Sequence, residues 1–427
     1  MVQLSAGPNR TRAAGIALTA GGLLFIARST LTSSPDPNGI AQLTPLWCLV
    51  CGDTGGADIA ANLLLFLPVA IGLRLAGVSW RRTVLVSAAV SLSVELLQLV
   101  AIPGRDASLS DLLTNTASGA IGATVAPRLP MVLRPTPSQA ARLLAGGAIL
   151  WLAALGVSAW LLSPGVGRGP MRSGWAGATP ERDIFFGEVH DVRFDGRPMP
   201  RNGPPSDSAA TRQRLAAGHF SLEAEVNSGR PVVYSSWIYK LSVGREEITL
   251  FQVRRHAGVA VPARGLQLLL HPVTVTLPDG LPAVAGVAVR LEASESAGVV
   301  RLRSTYGGAT RAIEFGLSPA YGWRLISPFE LGIGQGVRWF TALVLALSVL
   351  PLAYWAAWAS GMARWVPPLA VVVGLSLPSR LAGLPPVHWS EWAGAALGVV
   401  AGWALQRGEA YLERRCASLS ASEFSLS

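Results

Sequence analysis

The chain has 427 residues, of which 50% are hydrophobic and only 14% are charged, and its mean hydropathy is +0.41. A soluble protein of this length carries nearly twice that charged fraction, so the composition indicates a membrane protein with several spans. The net charge of +10 comes from basic residues scattered at the ends of apolar runs, which argues against nucleic-acid binding and favours membrane anchoring.

Apolar runs of about 20 residues predict the membrane-crossing helices. The first run could be a signal peptide, but no small-residue cleavage pattern follows it, so we interpret it as a helix. The predicted fold is an all-α polytopic membrane bundle of about eight spans, which lie at 13–29, 58–77, 83–102, 111–127, 142–162, 337–359, 364–380 and 389–406.

Arginines at the ends of these runs predict the topology. With the N-terminus in the cytoplasm, twelve arginines flank the spans on the cytoplasmic side and four flank them on the outer side. Both termini are then predicted to be cytoplasmic. The loops 30–57 and 103–110 and the long segment 163–336 are predicted to lie outside the cytoplasmic membrane.

The segment 163–336 differs from the spans in its pattern. Its Gly-, Pro- and Arg-rich start, up to about residue 207, predicts an irregular lead-in. Short alternating runs follow and predict the strands of a β-sandwich, at 220–226, 232–243, 248–253, 273–277, 285–293, 299–306 and 312–317. The predicted domains are spans one to five at 1–162, the extracytoplasmic sandwich at 163–336, spans six to eight at 337–410 and a cytoplasmic tail at 411–427.

The three cysteines are few for this length. Cys48 and Cys51 form the motif WCLVCGD ahead of the second span, and Cys416 lies in the polar tail. A CxxC can be a redox pair, half of a zinc site or a local disulfide. Since no second CxxC or HxxxH completes a zinc site, we predict a local disulfide or two packed thiols. The sequence predicts no metal site and no cofactor.

Three neighbouring spans each carry a polar pair near their predicted outer ends. The partners within each pair are three or four residues apart and therefore share a helix face. The eight polar residues of these spans and of the intervening loop are called the polar cluster: Asp58, Asn62, Glu95, Gln98, Arg105, Asp106, Asp111 and Asn115. We predict that the polar cluster lines an outward-facing pocket.

The cost of burying charge favours a function for this cluster. An acidic residue well inside a span costs about 2.5–3.5 kcal/mol, so Glu95 requires a partner, for which Arg105 is the nearest candidate. The mixture of charges suits a polar or anionic ligand, with Arg105 on a phosphate or carboxylate. The structural alternative is a polar clamp that holds three helices together. Gly119 and Gly122, further along span four, are predicted to be helix-packing positions.

Four segments together resemble the VanZ-like family: DIAANLLLFLPVAIGL (58–73), SVELLQ (93–98), PGRDASLSD (103–111) and NTASGAIG (115–122). The chain departs from the family pattern at one point, because the glycine that usually follows the proline of span two is replaced by Val69-Ala70. The resemblance implies a multi-pass protein of the bacterial cytoplasmic membrane and a link to glycopeptide-antibiotic susceptibility, since the founding member lowers susceptibility to teicoplanin. The matching positions are Asn62, Phe66, Pro68, Glu95, Gln98, Gly104, Arg105, Asp106, Asp111, Asn115, Gly119 and Gly122.

The predicted sandwich, with FSLEAEV, HPVTVTL and VRLRSTYGG, is similar to concanavalin A-like and laminin-G-like lectin domains. That resemblance implies glycan binding. Glu223 and Glu225 share a strand face, but the third strand acid of the related hydrolases is missing. The domain has few aspartates, which gives calcium binding little support.

Spans seven and eight resemble spans three and four. Arg380 would correspond to Arg105, and Ser390-Glu391 to Ser110-Asp111. We therefore hypothesise a parallel 4+4 repeat, in which the counterparts of Glu95, Gln98 and Asn115 are missing. Coincidence among helices rich in small residues is the alternative.

Three functions are compatible with the sequence. The first is a membrane protein of the cell envelope that binds a lipid head group or a peptidoglycan-related ligand in the polar cluster, with a glycan-binding outer domain. The second is a membrane enzyme acting on a lipid-linked envelope substrate, with Glu95 or Asp111 as acid–base and Arg105 on phosphate. The third is transport of such a lipid. It requires polar residues in the inner halves of the spans, which are not evident in the sequence. The expected partners are the lipid bilayer and a glycan or peptidoglycan precursor.

Overall fold

The computed structural model of the chain describes residues 8–32, 45–50, 52, 54–102, 105–177, 185–243, 245–327, 335–359 and 361–424. The chain divides into two units. Unit 1 comprises residues 1–145, 353–364 and 401–427, and unit 2 comprises residues 146–352 and 365–400.

Helices occupy every predicted span. Their bounds are α1 (Pro8–Thr30), α2 (Gly55–Leu65), α3 (Leu67–Leu75), α4 (Trp80–Ala101), α5 (Leu109–Val125), α6 (Leu129–Leu133), α7 (Pro137–Leu162), α8 (Ser208–Ala216), α9 (Gln335–Ala359), α10 (Val366–Leu381) and α11 (Trp389–Phe424). Short 3-10 helices lie at Ala126–Arg128, Arg264–Leu268, Pro319–Leu325 and Gly361–Trp365.

Within the described ranges, six segments are long and apolar enough to cross a membrane: Thr11–Thr30, Gly55–Leu75, Trp80–Ala101, Pro137–Leu162, Gly336–Ala359 and Gly361–Leu381. The predicted spans four and eight, which correspond to α5 and α11, are helical but are not among these six. The 17 residues of α5 extend over only about 25 Å, which is less than the roughly 30 Å of a bilayer core. The chain is therefore a membrane protein with six candidate spans.

The second predicted span is divided by a break at Phe66, between α2 and α3. Pro68 explains the break, because it has no N–H to donate to the Leu64 carbonyl and its ring would press against that carbonyl. Leu67 and Pro68 instead form the first positions of α3, where a proline is tolerated.

Small residues bring the helices of unit 1 close together. Gly15 on α1 lies against Gly72 on α3, where an added Cβ would come within 2.6 Å of the Gly72 carbonyl oxygen. Both α2 and α4 pack against α5. A hydrophobic core forms between the helices from Ile26, Phe66, Val69 and Val94.

Unit 2 contains two antiparallel sheets, and their residues alternate between buried and exposed. The strands of the described segment are β1 (Met171–Trp175), β2 (Glu188–Phe194), β3 (Arg197–Pro198), β4 (Asn202–Gly203), β5 (His219–Asn227), β6 (Val232–Val243), β7 (Arg245–Arg254), β8 (His256–Val261), β9 (Val273–Leu277), β10 (Ala288–Ser296), β11 (Val299–Tyr306) and β12 (Ala309–Gly316). The strand orders are β4-β1-β6-β7-β8-β9 and β12-β11-β10-β5-β2-β3. The sheets touch where β8 and β9 meet β11 and β12.

The seven strands predicted from alternation correspond to β5–β7 and β9–β12. The stretch expected to be an irregular lead-in differs, because it contains β1–β4, and α8 follows directly after it. β1 is central in its sheet, pairing with β6 from Met171–Val243 to Trp175–Tyr239. Its sequence, MRSGW, is too short and too rich in polar residues to stand out. β8 was also missed, because HAGVAV follows β7 after a single turn residue.

The sheets of unit 2 contact its helices through polar and small residues. Ser318, just after β12, donates a 2.6 Å hydrogen bond from its hydroxyl to Oε2 of Glu391 in the first turn of α11. Both side chains are buried. In the same unit α11 packs closely on α9, since an added Cβ at Gly394 would lie 2.2 Å from the Ala342 carbonyl oxygen.

Candidate functional site

The polar cluster is assembled in unit 1 from α2, α4, α5 and the loop before α5. Its first link joins α2 to α5, where the Asn62 side-chain amide donates a 2.8 Å hydrogen bond to Oδ1 of Asp111. Asn62 lies one helical turn after Asp58, and Asp111 lies in the first turn of α5. This hydrogen bond links one member of the polar pair on α2 to one member of the pair on α5.

Glu95 is buried, with 7% of its surface exposed, on the face of α4 that packs against α5. Its Oε2 accepts a 2.6 Å hydrogen bond from the backbone N–H of Ser108. Ser108 caps α5, because its hydroxyl accepts a hydrogen bond from the N–H of Ser110. Ser108 thus fixes both the start of α5 and the position of the Glu95 carboxylate.

Arg105 binds α1. Its Nε and Nη2 donate 3.2 Å hydrogen bonds to the carbonyls of Thr32 and Ser29. Gln98 acts alongside it, donating from Nε2 to the Thr30 carbonyl at 3.0 Å. The Ser29 and Thr30 carbonyls belong to the last turn of α1, at the negative end of the helix dipole, and Thr32 follows directly after it, a setting that suits a guanidinium.

The expected Glu95–Arg105 pairing therefore differs from the observed contacts. The carboxylate takes a backbone N–H, and the guanidinium takes carbonyls. The sequence could not predict these backbone partners, because backbone N–H and carbonyl groups are the same for every residue type and leave no pattern in the side chains.

The structure adds polar residues that the sequence analysis passed over. Thr83, Ser87 and Ser91 precede Glu95 on α4 at intervals of four residues, and all three are fully buried. Asn115 donates from Nδ2 to the Ser91 hydroxyl at 3.1 Å. The signal was the four-residue period of polar residues in TVLVSAAVSLSVE, which a search for charged or amide groups overlooks.

The acidic members of the polar cluster are close enough to interact electrostatically. Asp111 experiences the charges of Asp58 and Arg105, and Glu95 experiences the charge of Asp111. Asp58 is exposed and accepts a 3.3 Å hydrogen bond from the Thr54 hydroxyl. Asp106 lies in the loop with an intermediate burial.

Gly119 and Gly122 lie at close contacts of α5 with its neighbours. A Cβ added at Gly119 would lie 2.5 Å from Cβ and Oγ of Ser87 on α4, and one added at Gly122 would lie 2.8 Å from Cβ of Ala70 on α3. Cys48 is disulfide-bonded. Cys51, its predicted partner, and Gly104, one of the family-like positions, lie outside the described residues.

The arrangement suits recognition of a polar group by hydrogen bonds and charge. Across the described ranges, no group of three or more His, Cys, Asp or Glu residues is placed to hold a metal ion.

On the sheet of unit 2, Glu223 accepts a 2.7 Å hydrogen bond from Arg290. That carboxylate is part of an exposed ion pair.

Two comparisons with known proteins found no match, either among curated proteins or among solved structures. A family model described as VanZ/LLP1 matches residues 20–132. The matched segment contains α2 to α5 and the whole polar cluster, and it covers about a quarter of the chain. The chain is therefore a membrane protein that carries a VanZ-like domain at residues 20–132.

Proposed function

We propose that this protein is a bacterial cell-envelope membrane protein whose polar cluster binds a polar envelope ligand, either a lipid head group or a peptidoglycan-related molecule. The observation that carries the proposal is that the polar cluster contains buried hydrogen-bond acceptors without a partner among the described residues. Asn62 and Asp111 hold each other, and Ser108 holds Glu95, yet buried amide oxygens of Gln98 and Asn115 have no partner among the described residues. A finished clamp leaves few such groups, because each costs about 1–3 kcal/mol.

Arg105 supports an anionic contact in the same ligand. Its hydrogen bonds to the Thr32 and Ser29 carbonyls use Nε and Nη2, and Nη1 makes none within the described residues. A guanidinium already oriented by two carbonyls is a preorganised donor for a phosphate oxygen.

We place the polar cluster on the outer side of the membrane, with both termini in the cytoplasm. The arginine bias at the ends of the spans supports this orientation. The same orientation puts the two sheets of unit 2 outside, where we propose that they form a lectin-like sandwich and bind glycan. The engagement of Glu223 by Arg290 favours binding over glycan hydrolysis.

The proposal is tested in cells by comparing Glu95→Gln with wild type for susceptibility to glycopeptide and other envelope-directed antibiotics. Ser93→Ala is the matched control, because Ser93 lies two residues away on the exposed face of α4. We expect Glu95→Gln to match a deletion strain and Ser93→Ala to match wild type, at equal protein levels in the membrane. If a well-expressed Glu95→Gln protein instead gives wild-type antibiotic susceptibility, the polar cluster serves only to hold the helices together.

An enzyme acting on a lipid-linked substrate is the second candidate. It is favoured by the electrostatic coupling of Glu95 and Asp111, two carboxylates that could exchange a proton with a substrate held by Arg105. A turnover assay on purified protein with envelope lipids distinguishes the two functions. Product formation that is lost in Asp111→Asn would favour the enzyme, whereas unchanged lipids favour binding.

A further inference from the structure

Each side-chain amide of the polar cluster donates one N–H to the protein itself. Gln98 donates to the Thr30 carbonyl, and Asn62 donates to the Asp111 carboxylate. Because a carbonyl and a carboxylate can only accept, these two bonds fix the orientation of both amides. Asn115 donates to the Ser91 hydroxyl.

The buried oxygen atoms of two of these amides remain as hydrogen-bond acceptors without a partner in the described part of the chain. The side-chain oxygens Oε1 of Gln98 and Oδ1 of Asn115 have no partner within the described residues, although the two residues are only 7% and 4% exposed. The Glu95 carboxylate receives a single backbone N–H at Oε2. A hydrogen-bonding ligand in contact with these atoms must therefore bring donors.

The charge of the polar cluster leads in the same direction. It contains the carboxyl groups of Asp58, Glu95, Asp106 and Asp111 and one guanidinium, that of Arg105. Arg28, the basic residue in the last turn of α1, is exposed. Glu95 is the buried member of this set, so the charge of its ionised carboxylate attracts a cation more strongly than it would in water.

We infer that the polar cluster binds a primary ammonium group, through the unpartnered oxygens of Gln98 and Asn115 and the Glu95 carboxylate. A primary ammonium carries a positive charge and three N–H donors, which match three acceptors. The inference rests on the proposed ligand-binding function and narrows its ligand. With a phosphate on Arg105, the ligand is a zwitterionic head group with an amine at one end.

The test uses the purified full-length protein in detergent and native mass spectrometry with three lipids of equal chain length. Phosphatidylethanolamine has a phosphate and a primary ammonium, phosphatidylcholine has a charged amine without N–H donors, and phosphatidylglycerol has hydroxyls without a cation. We expect phosphatidylethanolamine to bind roughly tenfold or more tightly than either of the others, as expected for charge-assisted hydrogen bonds. The comparison needs no variant and is independent of any folding defect.

Variants then locate the contact. Glu95→Gln and Gln98→Met are expected to abolish the preference for phosphatidylethanolamine, whereas Ser93→Ala retains it. Free ethanolamine separates the two sources of the amine: displacement of the lipid at equal concentration supports recognition of the ammonium alone, and displacement only at large excess supports a lipid head group.

Two failures are distinguishable. Equal binding of the three lipids, or preference for phosphatidylglycerol, with loss of all binding in Glu95→Gln, overturns the ammonium inference and leaves the proposed function standing. Absence of binding by every lipid, together with wild-type antibiotic susceptibility of Glu95→Gln cells, overturns both.

Discussion

At the residue scale, the polar side chains Asn62, Glu95 and Gln98 of the VanZ-like domain each have an identified hydrogen-bond partner. Glu95 and Gln98 lie on α4, and Asp111 and Asn115 lie on α5, which packs against α4; the sequence pairs them because a spacing of three or four residues determines a helix face. It could not identify their partners, since Ser108 contributes a backbone N–H and α1 contributes carbonyls. Such partners follow from the approach of two chain segments and leave no side-chain pattern.

The closest helix contact in the VanZ-like domain gives a stability prediction. Gly119→Ala would press its methyl group against Ser87, so we expect a destabilisation of about 1–3 kcal/mol, seen as a lower melting temperature in detergent. Gly21→Ala is the control, because an added Cβ there meets nothing within 4 Å. Equal melting temperatures for the two variants would contradict the close packing of α4 on α5.

At the element scale, strand β10 of unit 2 carries a buried acid. Glu295 is 2% exposed and neither carboxylate oxygen has a hydrogen-bond partner among the described residues. Burial raises the pKa of Glu295 from its ordinary value of 4.5 to about 8. At neutral pH the carboxyl group is therefore mainly protonated, which is the inexpensive state for an acid without partners.

This pKa predicts a loss of stability at alkaline pH. The folded state holds the Glu295 proton more tightly than the unfolded state, so its contribution is complete below about pH 4.5 and is lost as the pH rises to 8. We expect the melting temperature of wild type to fall more between pH 5.5 and 8.5 than that of Glu295→Gln. The difference in unfolding free energy should reach at most about 4 kcal/mol. Parallel pH profiles for the two proteins would show that Glu295 titrates normally.

The hydrogen bond between Ser318 and Glu391 predicts a second effect in unit 2. Ser318→Ala removes the hydroxyl that binds Oε2, and Oε1 already has no partner within the described residues. We expect a destabilisation of roughly 1–3 kcal/mol from the unsatisfied carboxylate, measured by thermal unfolding of the full-length protein. Ser242→Ala is the control, since that strand hydroxyl makes only a 3.5 Å contact with the Arg172 carbonyl. A smaller effect at Ser318 than at Ser242 would contradict this role.

At the scale of the whole molecule, hydropathy located the helices, and alternation located most strands. The eight predicted spans are all helical, but the break at Phe66 and the length of α5 depend on local detail, namely Pro68 and the capping serine Ser108. The strands β1, β3 and β4 escaped prediction because they are short, and β2 because it lies in a stretch rich in Gly, Pro and Arg. The hypothesised 4+4 repeat stays a prediction, which requires that α1–α5 superpose on α7 and α9–α11.

The proposed topology makes a further prediction for the whole chain. A fluorescent protein fused after residue 427 should fluoresce, because the fold of that reporter matures in the cytoplasm. An alkaline phosphatase inserted at Gly307, in the exposed turn between β11 and β12, should be active, because it requires the oxidising side of the membrane. The reverse pattern at both positions would invert the orientation and place the polar cluster on the cytoplasmic side.

The most direct test of the central claim, that the polar cluster binds an envelope ligand, is to identify what leaves the membrane with the protein. Full-length wild type and the double variant Glu95→Gln/Asp111→Asn, purified side by side in mild detergent, would be compared by mass spectrometry of their bound small molecules. We expect a polar, amine-bearing envelope lipid to accompany wild type and to be depleted from the variant, while the two proteins elute alike on size exclusion. Identical small-molecule profiles from two equally folded proteins would contradict it.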